Sequence, residues 1–357
     1  EVDLVRAVIH PDSVIAPPFE ETDETLFSLE ELDEADVMKV MDRRQERLAK
    51  SMGSGHRVIR GVAGSGKTVI LVHRARTMAR LFPTRKILVT CYTKSLASQL
   101  RSQLAGLDNV EVVHLDSLMA KMVDKAGLAM PTGQDRWDRL PRVAREALTE
   151  LRSPRYRAVM VDEAQDFNTD ALAFCVELLE GSDPAEQDLV IVADSAQNIF
   201  RRDFRWKHAG INAQGRTRVL RVNYRNTKEI LRFAHDFLVA DSSITVSEDG
   251  GVDDELAVIP AEAAERSGPE PSVIAVNADR EVDAVVDQVR QWFSPDLPAR
   301  SLAVLIHGRG HKRLGKPIVD RLASAGVPAT WVTDPDQPRN KDEAGSTKAP
   351  VVVSTIF

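Results

Sequence analysis

From residue 35 onward, short apolar runs alternate with amphipathic stretches. Runs at 57–60, 86–91, 110–114, 157–161, 188–193 and 217–222 predict strands, while apolar residues at helical spacing predict helices at 67–80, 94–105, 168–180 and 226–239. Strands alternating with helices in this way predict an α/β fold, a parallel sheet with helices on both faces. Residues 241–271, rich in Gly, Pro, Ser and acidic side chains, break the rhythm and have the composition of a linker. The alternation then resumes, with strands predicted at 272–276, 301–306, 329–333 and 350–355 and helices at 279–292 and 314–325. It stops at Val351–Phe357 in a strand-and-turn pattern, so the second domain is expected to be incomplete. The expected organisation is an acidic lead-in at 1–34, a first domain at 35–240, a linker at 241–271 and part of a second domain at 272–357.

Composition agrees with two domains. The chain has 357 residues, 43% hydrophobic and 28% charged, as in ordinary globular proteins. Its net charge of −7, from 47 basic and 54 acidic side chains, argues at first against a polyanionic partner. Ten of those acids lie between residues 11 and 38, where there is no Lys or Arg, so the remainder carries a small positive excess that allows a locally basic groove. Cys91 and Cys175 stand apart in apolar runs without metal or redox spacing, as expected of buried reduced thiols. No run approaches the roughly 18 apolar residues of a membrane span, and no basic-then-apolar leader opens the chain; a cytoplasmic protein without a membrane partner is expected.

The chemistry begins at Gly61-Val62-Ala63-Gly64-Ser65-Gly66-Lys67-Thr68, which follows a predicted strand and opens a predicted helix. In that context the spacing is a phosphate-binding P-loop. Its glycines let backbone N–H groups converge on phosphates, Lys67 supplies a positive charge, and the Thr68 hydroxyl is a ligand for Mg²⁺. An acidic counterpart ends the run Ala158–Val161: Asp162 is placed to hold the Mg²⁺ that bridges the phosphates, and Glu163 to orient and deprotonate the attacking water. ATP and Mg²⁺ are the expected cofactors.

Asp162-Glu163-Ala164-Gln165-Asp166, in one chain with GVAGSGKT, resembles the UvrD/Rep-like superfamily 1 DNA helicases, and further segments follow in that family's order. The resemblance implies tandem RecA-like P-loop NTPase domains, with residues 35–240 as the complete ATP-binding domain. It implies that Gln45 reads the adenine edge, and that Tyr92 and Thr93 in Cys91-Tyr92-Thr93-Lys94 meet single-stranded DNA. Gln197, in Asp194-Ser195-Ala196-Gln197, would sense the γ-phosphate. In Asn223-Tyr224-Arg225-Asn226, Tyr224 would stack on adenine and Arg225 reach the γ-phosphate. The segment Arg201–Lys207 interleaves four basic residues with Phe204 and Trp206, and Trp206 is the preferred base-stacking aromatic. His114-Leu115-Asp116-Ser117-Leu118 resembles a weaker DNA-contact motif.

The final Val352–Phe357 resembles the opening of the family's fifth motif, beyond which the family places a second arginine of the hydrolytic site. The resulting expectation is an ATP-dependent helicase or translocase acting on single-stranded DNA and duplex junctions, with 3′ to 5′ polarity implied and a DNA-repair role compatible. An ATP- and DNA-binding module without unwinding activity, and an RNA-directed superfamily 1 enzyme, are the alternatives.

Overall fold

The computed structural model describes residues 45–61, 64–151, 155–194, 206–220, 222–239, 263–297, 301–307, 311–332 and 349–356. Contacts divide the chain into two compact units, one through Pro271 and one from Ser272.

The first unit is built on six strands: β1 (Gly55–Gly61), β2 (Ile87–Cys91), β3 (Val110–His114), β4 (Ala158–Val161), β5 (Asp188–Ala193) and β6 (Thr217–Leu220). Their order is β3-β2-β4-β5-β1-β6, and each pairing is parallel. Every residue of β2, β4 and β5 is buried, which is why these runs lack polar alternation. Below one face lie α1 (Lys67–Leu81), α2 (Lys94–Gln103) and a helical segment at 45–51; Ile70, Leu71, Leu100 and Ala49 pack there on Ile59, Val89, Met160 and Val192. The other face carries α3 (Leu115–Lys125), α4 (Arg136–Leu151) and α5 (Thr169–Glu177), whose Met119, Leu148 and Phe174 pack on Leu88, Val159 and Ile191. Cys91 and Cys175 sit in these two opposite cores as free thiols, each pushed up to about 12 chiefly by burial.

Beyond β6, β7 (Val222–Thr227) pairs in parallel with β8 (Ala263–Arg266), and α6 (Lys228–Val239) follows β7. A strand therefore forms inside the span whose composition suggested only a linker. In the second unit β9 (Leu302–His307), β10 (Ala329–Trp331) and β11 (Val351–Ile356) make a parallel sheet in the order β10-β11-β9. Helices α7 (Glu281–Trp292) and α8 (His311–Ser324) share its core through Val286, Val289, Ile318 and Leu322. The strand expected at 272–276 does not form: Val273 is 78% exposed, because no neighbouring strand among the described residues pairs with this apolar run.

One ion pair lies deep in the first unit. Arg74 of α1 donates to Asp188 at the start of β5 at 3.1 Å and also to the backbone carbonyls of Ala49, Met52 and Gly53, and Arg157 contacts the second Asp188 oxygen. The guanidinium thus ties α1, β5 and the 45–51 segment together through groups that have left water. Removing one partner strands a buried charge, which typically costs about 3–5 kcal/mol. Asp188→Ala is expected to lose about that much in a denaturant titration, whereas Glu180→Ala, which breaks the more exposed pair with Arg85, should lose under about 1 kcal/mol.

Candidate nucleotide-binding site

In a parallel sheet with helices on both faces, ligands bind beyond the carboxyl ends of the strands. Here β1, β5 and β4 are neighbours, with Arg60 level with Ala193 and Val161 level with Ile191, so Gly61, Asp194 and Asp162 emerge at one edge. The loop leaving β1 turns into α1 through Gly64 (φ 76°) and Gly66 (φ 82°), a left-handed backbone that side chains rarely adopt. Gly66 caps α1 without a side-chain hydrogen bond, and no acidic residue lies in the first turn. The first N–H groups of a 15-residue helix therefore face the loop, the arrangement that receives phosphate.

Lys67 is buried, and its Nζ donates to Gly61 O at 2.8 Å and to Asp194 Oδ2 at 3.3 Å. Asp162 is 1% exposed. Its Oδ1 accepts from the Glu163 N–H at 3.0 Å, and the Thr68 hydroxyl bonds the same carboxylate. Burial, and then the neighbouring Glu163 carboxylate, push the Asp162 carboxyl up to about 6, against the opposing pull of Thr68, the Glu163 N–H and Lys67. Glu163 has φ 52° and ψ 46°, and among the described residues it alone, glycine apart, has a positive φ. Strain of this kind persists where surrounding structure enforces it. Here Gln165 supplies that constraint, its Nε2 donating to Glu163 Oε2 at 2.6 Å while its Oε1 accepts from the Asp194 N–H at 3.0 Å.

Distant segments close over the loop. Gln45 donates to Ser65 O at 3.3 Å and lies so close to Gly66 that a Cβ there would sit 1.6 Å from its Nε2. Tyr224 N donates to Gly64 O at 3.1 Å, and buried Asn223 accepts from the N–H groups of Arg225 and Asn226, both at 2.8 Å. That turn leaves Tyr224 half-buried and Arg225 exposed. The structure thus brings Gln45, Gly61, Gly64, Ser65, Gly66, Lys67, Thr68, Asp162, Glu163, Tyr224 and Arg225 into one neighbourhood. Val62, Ala63 and Gln197 lie outside the described residues.

The expected DNA contacts are placed differently. Trp206, at the head of a short 3-10 turn, is only 7% exposed and packs in the core with Ala209 and Ile211, so its ring offers no face to a base. The stacking role expected of it is corrected to a packing role; Phe204 and the arginines before it lie outside the described residues. Tyr92 is partly buried, edge-on to Phe167 with ring centroids 5.6 Å apart. Thr93 is exposed and caps α2 by accepting from Leu96 N, and His114 caps α3 by accepting from Ser117 N. Asp194, Gln165 and Asn223 were missed as site residues. For Asp194 the signal was available: like Asp162, it is the first polar residue after an unbroken apolar run, here Leu189–Ala193.

Residues 44–202 match the model of the family described as AAA domain. No curated protein matches the chain. The crystal structure of Pif1 helicase from Candida albicans is similar at 18% identity, with a TM-score of 0.33, over 72% of this chain. The chain spans about 55% of the length of that helicase.

The site also fits a divalent cation. Asp162 Oδ2 is buried without a hydrogen-bond partner, next to the oxygens of a carboxylate and a hydroxyl, the hard donors that Mg²⁺ takes. Among the described residues no three His, Cys, Asp or Glu side chains gather into a metal cage, so these two residues would hold Mg²⁺ together with phosphate oxygens.

A carboxyl whose folded-state pKa is raised opposes folding once it is ionised. The penalty grows as pH climbs from the ordinary 3.8 toward about 6 and is complete above that. Asp162→Asn is therefore expected to melt at a higher temperature than the parent at pH 8 without added nucleotide or metal. The gain should fade toward pH 4; an equal or lower melting temperature at pH 8 would show that the buried carboxylate is not the strained group.

Proposed function

We propose that the chain is an ATP-hydrolysing motor of the UvrD/Rep-like superfamily 1 class that moves along single-stranded DNA. The observation that carries the reading is the meeting of Lys67, Thr68, Asp162 and Glu163 at one sheet edge, with Gln45 and Tyr224-Arg225 seated on the same loop. The match of residues 44–202 to the AAA domain family supports a nucleotide-handling role for this region.

The backbone N–H groups at the start of α1 and the Lys67 ammonium bind the phosphates, and Lys67 exchanges its contact with Asp194 for them. Thr68 and Asp162 would hold Mg²⁺, which when bound would neutralise charge on the phosphate oxygens. Glu163, fixed by Gln165, orients a water and takes its proton at a carboxylate oxygen. Gln45 and Tyr224 flank the base, and exposed Arg225 is free to swing toward the terminal phosphate, where positive charge stabilises the transition state. Tyr92 and Thr93, at the carboxyl end of β2, are the strand-contacting residues of this reading, with 3′ to 5′ movement.

Glu163→Gln is expected to bind ATP with near-parental affinity while turnover falls about 10²- to 10⁴-fold, as loss of a general base predicts; Lys67→Ala should lose binding itself. Turnover in the parent should rise on adding single-stranded DNA, and matched RNA should compete poorly. A Glu163→Gln variant hydrolysing at the parental rate defeats the assignment of the base, and turnover indifferent to DNA defeats the motor.

A further inference from the structure

The end of β1 away from the phosphate loop carries a second charged site. A small hollow of about 30 Å³ opens there between the 45–51 helical segment and the sheet, floored by Leu48, Met52 and Ile59. Three arginines line it, Arg57, Arg216 and Arg218. The sheet brings them together: Ile59 stands level with Arg218, so Arg57 and Arg216, two positions back on each chain, lie on the same face.

One of the three is held from behind and a second lies against the backbone of β1. Arg57 Nε donates to Gly53 O at 3.1 Å and its Nη2 to Ser54 O at 3.4 Å, which fixes its plane. Arg216 lies directly on Gly55, where a Cβ would come within 1.9 Å of its Nη1. Gly55 also has φ +99°, so backbone geometry and this close approach both call for glycine.

The charge is not balanced locally. Neither Arg216 nor Arg218 pairs with a carboxylate among the described residues, and Asp188, which acts on Arg57, is already engaged by Arg74 and Arg157. Burial pulls the Arg57 guanidinium below its usual range, and Arg74, Arg216 and Arg218 add to that pull. In a chain of net charge −7, three like charges around one hollow are a local arrangement rather than general basicity. A guanidinium plane matches the tetrahedral oxygens of phosphate, an N–H fork not already engaged by a carbonyl donating to two of them.

We propose that Arg57, Arg216 and Arg218 form a second phosphoryl-binding site, separate from the phosphate loop by most of the length of β1. From Arg57 to Gly61 the strand runs roughly 13 Å. Free inorganic phosphate and the backbone phosphate of a nucleic-acid strand share the chemistry that it recognises. The inference stands independently of the proposed hydrolysis.

The test titrates the 357-residue chain with inorganic phosphate at fixed ionic strength by calorimetry, so that general screening is held constant. Parent, Lys67→Ala, Arg216→Gln/Arg218→Gln and Arg216→Lys/Arg218→Lys proteins are compared. Phosphate binding is expected to survive Lys67→Ala, to weaken about tenfold or more in the double Gln variant, and to be partly kept in the double Lys variant, whose charge is unchanged. A labelled single-stranded oligonucleotide in a parallel anisotropy titration separates the sources. A loss of oligonucleotide affinity in the double Gln variant assigns the site to a backbone phosphate, and an unchanged affinity beside lost phosphate binding assigns it to a free anion. Phosphate and oligonucleotide binding that both match the parent in the double Gln variant overturn the proposal, as does phosphate binding lost only with Lys67.

Discussion

Everything at the candidate site depends on holding one cation and two carboxylates out of water at the edge of a parallel sheet. Lys67, Asp162 and Asp194 are each almost fully buried, and charges in that position survive only when partners are close and geometry is fixed. The partners come from strand ends that the sheet places side by side: the Gly61 carbonyl from β1, Thr68 from the helix that β1 feeds, and Asp194 from β5. Incomplete neutralisation is part of the design. Asp162 keeps one unpartnered oxygen and a raised pKa, the condition of a group whose environment suits a cation better than it suits the bare anion.

Gln165 makes this arrangement more than a set of separate contacts. Through one amide it holds the Glu163 carboxylate and the backbone of Asp194, so the strained turn after β4 and the exit from β5 move together or not at all. The Asp194 side chain in turn touches Lys67. A change at the phosphate loop therefore has a short physical route to the candidate base through two buried residues.

The two arginine systems of the first unit show how position decides the role of one residue type. Arg74 is surrounded by carbonyls and Asp188 and acts as a brace between helix and sheet. Arg57, a few residues from the same loop, is braced by carbonyls without a carboxylate of its own and stands with Arg216 and Arg218 around a hollow. Burial with a counter-charge gives stability; partial burial without one leaves a binding potential.

The amino-acid pattern by itself determined the α/β class, the six strands of the first unit's sheet, and the phosphate loop with its acidic partner, but not the helices Leu115–Lys125 and Arg136–Leu151. These follow from local chemistry: fully apolar runs mark strands buried on both faces, and Gly-rich spacing before a helix has few other uses. Only the tertiary structure decided the rest. That Gln45 and Asn223-Tyr224-Arg225 lie on the loop is settled by long-range contacts to the backbone of Ser65 and Gly64, information that no window of the chain contains. Trp206 sits in a basic, aromatic segment that suits a nucleic-acid surface, yet burial of a large apolar ring against the core outweighs that local hint. The run at 272–276 has the composition of a strand and stays unpaired, because a strand exists only when another offers it hydrogen bonds. Asp194 and Gln165 gain their roles from contacts between strand ends far apart in sequence, and so does the arginine hollow.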